Sequence, residues 1–149
     1  MQMVFFDFSS KAQKNEQSML TANNICLMHT YLTKLKKNGK SNDSRSLIQT
    51  QSFDTSGRLI AESFYENGDE TLKRQFIYYE TDEVRTLIVT QKQGTVSYQY
   101  EKGGYFEIIT GGIPDYFPTF SYYPSGLIKS ETTFRNGQEY LLLYEYVVR

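Results

Sequence analysis

A pair of turns recurs in this chain, and it fixes most of what the chain can fold into. Around Phe53 the residues run Phe-Asp-Thr-Ser-Gly-Arg-Leu-Ile-Ala-Glu-Ser-Phe-Tyr-Glu-Asn-Gly. Around Tyr122 they run Tyr-Tyr-Pro-Ser-Gly-Leu-Ile-Lys-Ser-Glu-Thr-Thr-Phe-Arg-Asn-Gly. Gly57 lies 11 residues before Gly68 and Gly126 lies 11 before Gly137, so the segments overlay without a gap. Ser56, Glu62, Asn67 and Glu70 meet Ser125, Glu131, Asn136 and Glu139. Glycine accepts positive φ at no steric cost, and asparagine tolerates it better than most residues. Asn-Gly between alternating apolar runs is the strongest short hairpin signal. Between the glycines there is room for one strand of about eight residues. Each unit therefore reads as turn, strand, turn and returning strand.

Weaker copies lie between the clear ones. Tyr79-Glu80-Thr81-Asp82-Glu83 aligns with Phe53-Asp54-Thr55-Ser56-Gly57, and Gly94 falls 11 after Glu83. Tyr100-Glu101-Lys102-Gly103-Gly104 is a third opening. The leading aromatics are then Phe53, Tyr79, Tyr100 and Tyr122, spaced 26, 21 and 22 apart. Repeats of this length are stacked supersecondary units, each marginal alone and stabilised by its neighbours.

The pattern aromatic-Asp/Glu-x-x-Gly-x-Leu/Ile, followed by aromatic-x-Asn-Gly, resembles the tyrosine–aspartate (YD) repeats of Rhs-type bacterial proteins. It also resembles the related short repeats of small bacterial antitoxin and immunity proteins. The resemblance covers roughly residues 46 to 148. Two units depart from it: Glu83 replaces a turn glycine, and Asp115 stands where the Tyr100 unit needs its second glycine. A generic β-meander with similar turns is the competing reading.

At 149 residues the chain is one domain by length and is long enough to bury a core. Thirteen Tyr and ten Phe, with no Trp, favour strands. Net charge is −1, so no overall field draws the protein to nucleic acid or membranes. The charge is uneven, however, with +4 over residues 1–50 and −5 over 51–149. The stretch from Glu62 to Glu83 carries seven acids against Lys73 and Arg74, which reads as a solvated face or as an acidic patch matched to a basic partner. Within it, Glu66, Asp69 and Glu70 flank the Asn67-Gly68 turn. Cys26 is the only cysteine, which excludes an internal disulfide and fits a reducing compartment. No run approaches the roughly 18 apolar residues of a membrane span. The start lacks a secretory signal, so the expected location is cytoplasmic if the chain is complete, and periplasmic or secreted if a signal was removed.

Residues 1–24 form an N-terminal segment compatible with a short helix capped by Ser9 or Ser10, and 25–149 form a single β-repeat domain. Ile25 to Leu35 carries both a helical and an alternating pattern; consistency with the repeat favours a strand ending at Asn38-Gly39. Val96, Tyr98 and Tyr100 alternate with Thr95, Ser97 and Gln99, which places one face on a core. Leu141 to Tyr144, with Val147 and Val148, is apolar on both faces and is expected to be covered on both sides or to pair with a partner.

Catalytic chemistry finds little support. His29 is the only histidine, and on a strand Cys26 points to the face opposite it. Asp69 with Glu70 and Asp82 with Glu83 sit at turns in water, where no carboxyl gains the raised pKa of an acid catalyst. Asn67, Asp69 and Glu70 lack a full calcium loop. Gly103-Gly104 and Gly111-Gly112 are not followed by a helix that would cradle phosphate. The modest basic group Lys34, Lys36, Lys37, Lys40 and Arg45 lacks the charge and interleaved aromatics of a nucleic-acid site. Gly111 to Pro118 interrupts the repeat, and between its two prolines, next to Asp115, Tyr116 and Phe117 are the aromatic types that anchor interfaces; the competing reading is a long hairpin connection whose aromatics tuck into the core.

The expectation is an all-β fold, an antiparallel meander of eight to ten strands built from repeated hairpins. It is either an open twisted sheet or a half-barrel, with a short N-terminal helix. The resemblance implies a non-enzymatic immunity or antitoxin-type protein that neutralises a toxin by binding it. The partner is another protein, with no cofactor, metal, nucleic acid or membrane, engaged through Asp115, Tyr116, Phe117, Glu66, Asp69 and Glu70. The alternative is a structural or carbohydrate-binding repeat fragment of a surface or secreted bacterial protein, using exposed tyrosines.

Overall fold

In the computed structural model, which describes residues 17–36, 38, 44–102 and 119–149, Asn67 and Gly68 both take positive φ, at 50° and 85°. Asn136 and Gly137 do the same, at 50° and 76°. Positive φ at both central residues is the type I′ hairpin turn, whose twist matches the strands it joins. The first turn joins β3 (Leu59–Glu66) to β4 (Asp69–Tyr78), and the second joins β8 (Ile128–Arg135) to β9 (Gln138–Val148).

The opening turns of the repeat also match. Asp54 N–H donates to the Arg58 carbonyl and Gly57 N–H to the Asp54 carbonyl, each at 3.0 Å. Tyr123 N–H donates to the Leu127 carbonyl and Gly126 N–H to the Tyr123 carbonyl, each at 2.9 Å. These turns join β2 (Ser46–Phe53) to β3 and β7 (Phe120–Tyr122) to β8. Phe53 pairs with Leu59 and Tyr122 with Ile128, each beside a bulge.

A third copy is present one residue away from the register read in the sequence. Tyr79 N–H closes on the Glu83 carbonyl at 3.0 Å, and Tyr78 pairs with Val84 beside a bulge. The leading aromatic between β4 and β5 (Val84–Gln91) is thus Tyr78, not Tyr79, and the position matching Gly57 is Asp82, not Glu83. Eleven residues later stands Gln93, in the turn before β6 (Gly94–Gln99).

The strands among the described residues form one open nine-stranded antiparallel sheet, in the order β6-β5-β4-β3-β2-β1-β9-β8-β7. The expected strand at Ile25 is present as β1 (Ile25–Lys34). The meander is not continuous in chain order: β1 pairs with β2 on one side and with β9 on the other, from Ile25↔Val148 to Lys34↔Tyr140. The apolar run Leu141–Val148 belongs to β9, which pairs with β1 along this length and with β8 as far as Leu143. Its faces are not covered on both sides as expected: Leu141 to Tyr144 are half-buried, and Val147 and Val148 are 43% and 59% exposed. The edge strand β6 departs from expectation. Val96 and Tyr98 are 52% and 43% exposed, and among the described residues β6 pairs only with β5; of the three apolar positions only Tyr100 packs on the core.

Among the described residues a helix, α1, covers residues 17–22 and ends where Asn24 enters the left-handed region at φ 54°. The expected cap at Ser9 or Ser10 lies outside the described residues. Leu20 of α1 is buried with Ile25, Met28, Phe53 and Leu127. The second core lies on β4 and β5, around Phe76, Val84, Leu87 and Val89. Following the strand directions, α1 and the Gly57, Asp82 and Gly126 turns all lie at one end of the sheet. The Asn-Gly turns lie at the other.

Tyrosine hydroxyls fasten the repeats. Tyr78 donates to the Leu59 carbonyl and Tyr146 to the Ile128 carbonyl, at 2.5 and 2.8 Å. Leu59 and Ile128 are equivalent repeat positions. Tyr78 lies 21 residues after Gly57 and Tyr146 lies 20 after Gly126. The extra residue is Thr71, passed over by the register shift opposite Phe64 and Tyr65.

Candidate protein-interaction site

The acidic hairpin is built by backbone geometry. β3 delivers Glu66 to the type I′ turn and β4 leaves it with Asp69 and Glu70, and all three side chains are exposed. Glu66 and Asp69 are direct cross-strand partners, while Glu70 stands opposite Tyr65. Two like charges directly opposed on a ladder are destabilising. The equivalent pairs in the other hairpins are Gln91 with Gly94 and Arg135 with Gln138, and neither opposes two like charges. Thr71 Oγ1 donates to the Phe64 carbonyl at 3.3 Å and braces the bulge behind the turn. The structure thus brings Glu66, Asp69 and Glu70 together at one hairpin tip. Asp115, Tyr116 and Phe117 lie outside the described residues.

The acidic stretch from Glu62 to Glu83 is not one patch. Glu80, Asp82 and Glu83 sit in the turn at the opposite end of β4, about 30 Å from the tip for a ten-residue strand. Glu62 is not on the surface at all: it is 4% exposed, and Arg74, its cross-strand partner, is 8% exposed. An Arg74 Nη2 to Glu62 Oε1 ion pair joins them. The other carboxylate oxygen accepts Gln49 Nε2 at 3.1 Å and Gln51 Nε2 at 3.2 Å. Arg74 also lies 5.3 Å from the centre of the Phe64 ring. Burial lowers the Arg74 pKa and Glu62 opposes that shift. A carboxylate held by this many donors is spent on the fold. Sequence reading placed Glu62 in the acidic stretch; the available signal was its alternation with Phe64 on the inward phase of β3.

Other groups are similarly committed. Arg45 lies 4.1 Å over the Tyr31 ring and pairs with Glu145 at 2.6 Å. His29 is the cross-strand neighbour of Glu145 and stacks on Tyr31, with ring centroids 6.3 Å apart. Cys26 Sγ donates to the Val147 carbonyl at 3.4 Å. Arg58 joins two turns, donating to Asp54 Oδ2 and to the Thr81 carbonyl, each at 2.8 Å. An open cleft of about 530 Å³ is lined by Asn23, Tyr123, Ser125, Glu145 and Tyr146 among others. The hydroxyls of Tyr123 and Tyr146 are turned to the Tyr144 and Ile128 carbonyls. Among the described residues, the exposed tyrosines Tyr98 and Tyr122 lie on β6 and β7 at opposite ends of the strand order, so these two do not form one stacking platform.

No family model, curated protein or solved structure matches this chain.

Proposed function

We propose that this protein is a binding module for another protein and that the Glu66–Glu70 hairpin tip engages a basic surface on its partner. One observation carries the reading: Glu66 and Asp69 oppose one another beside an exposed type I′ turn. That arrangement costs stability in the free protein, and a cation supplied from outside relieves it. A preformed turn also loses little entropy on binding. The resemblance of the repeats to those of antitoxin and immunity proteins supports a toxin as the partner, neutralised by being covered.

Bait pull-downs from the native host test this, comparing the wild type with E66K/D69K/E70K. The proposal expects a basic protein that is retained by the wild type, is lost from the triple variant and binds less well as salt rises. Coexpression should relieve any toxicity of that protein. Equal retention by both baits would overturn the assignment of the tip.

A further inference from the structure

The four repeat glycines divide into two kinds. Gly57, Gly68, Gly126 and Gly137 all have positive φ, at 77°, 85°, 90° and 76°. A Cβ added at Gly68 or Gly137 would meet nothing within 4 Å. At Gly57 it would lie 2.7 Å from both the Gln17 carbonyl oxygen and Thr21 Oγ1, and at Gly126 it would lie 2.6 Å from Met19 Cε. The asparagine–glycine turns thus need glycine for backbone conformation alone. The opening turns need it also because α1 sits on them.

α1 touches both turns from one short segment. Gln17 Nε2 donates to the Ser56 carbonyl at 2.8 Å on one side, and Met19 covers Gly126 on the other. Leu20 between them is buried with Phe53, which leads one repeat, and with Leu127, which follows the Gly126 turn. The turns belong to β2–β3 and β7–β8, which flank the β1–β9 pair on opposite sides. Leu20 is 3% exposed in this core, and packing of that kind is what holds a short helix in place. We propose that α1 is a clamp coupling the two repeat turns across the β1–β9 junction: seated on Gly57 and Gly126 at once, it makes order in each turn depend on the other.

Amide hydrogen exchange in G126A and G137A tests the coupling. Both substitutions impose the same kind of backbone strain, but only G126A strikes α1. The amides to follow are Asn23 and Asn24, bonded to the Met19 and Thr21 carbonyls, and Ser56 and Arg58, both bonded to Asp54 Oδ1. The clamp predicts that G126A lowers protection at all four by about tenfold relative to Phe76, in the second core. G137A should leave the same ratios within about twofold. Loss confined to the Gly126 turn, or equal effects of the two variants at Ser56 and Arg58, would overturn it. Should G126A fold too poorly to measure, L20A approaches from the helix side. The clamp then predicts loss at both turns together, and loss at one turn alone contradicts it.

Discussion

Glu62 on β3 and Arg74 on β4 face each other directly across the ladder, and both are buried. Removing one partner from a buried pair leaves an uncompensated charge, which costs about 3–5 kcal/mol. E62Q and R74M should each lower unfolding free energy in urea by about 3 kcal/mol. Replacing both with leucine should cost far less, because neither charge remains to be desolvated. Losses below about 1 kcal/mol in both single variants would show that water or rearrangement supplies the missing partner.

The type I′ turns set a second expectation. Gly68 and Gly137 have open space around them, so only φ restricts them. A β-branched residue is strained in that region, and G68V and G137V should each lose more than about 1 kcal/mol by chemical denaturation. A neutral result at both positions would contradict the turn geometry.

These turns are also where the sequence was most legible. Asn-Gly and the 11-residue interval reveal hairpins because positive φ narrows the choice of residue. The copy at Tyr78 was misread by one residue because Asp82 and Gln93 occupy the glycine positions, so nothing local pins its register. The β1–β9 pair was invisible for another reason: it joins residues far apart in the chain, and apolar Leu141–Val148 suits an interior strand or a partner interface equally. Glu62 was assigned to water because composition counts its charge, while the bulge that passes over exposed Ile60 breaks the simple alternation leading from core-packed Leu59 to buried Glu62.

Tyr78 gives a prediction in pH. Burial raises its pKa, with the nearby Asp54 charge adding to the shift and Arg58 opposing it. The folded state therefore holds the phenol proton more tightly than the unfolded chain, whose tyrosines titrate near pH 10. Its contribution is complete below about pH 10 and is lost as pH rises above that value. The stability difference between wild type and Y78F should shrink progressively as pH rises above about 10. A constant difference would mean that the hydroxyl does not ionise differently in the two states.

The measurement that bears most directly on the proposed function pairs stability with binding in D69K. This substitution turns the opposed Glu66–Asp69 pair into an attractive one, so the free protein should gain about 0.5 kcal/mol in urea denaturation. Its affinity for a basic partner retained by the wild type should fall by about tenfold or more at low salt, by calorimetric titration, with the loss narrowing as salt rises. Gain in stability with loss of binding is the result expected of a tip whose repulsion serves recognition. Unchanged affinity for that partner would contradict the account.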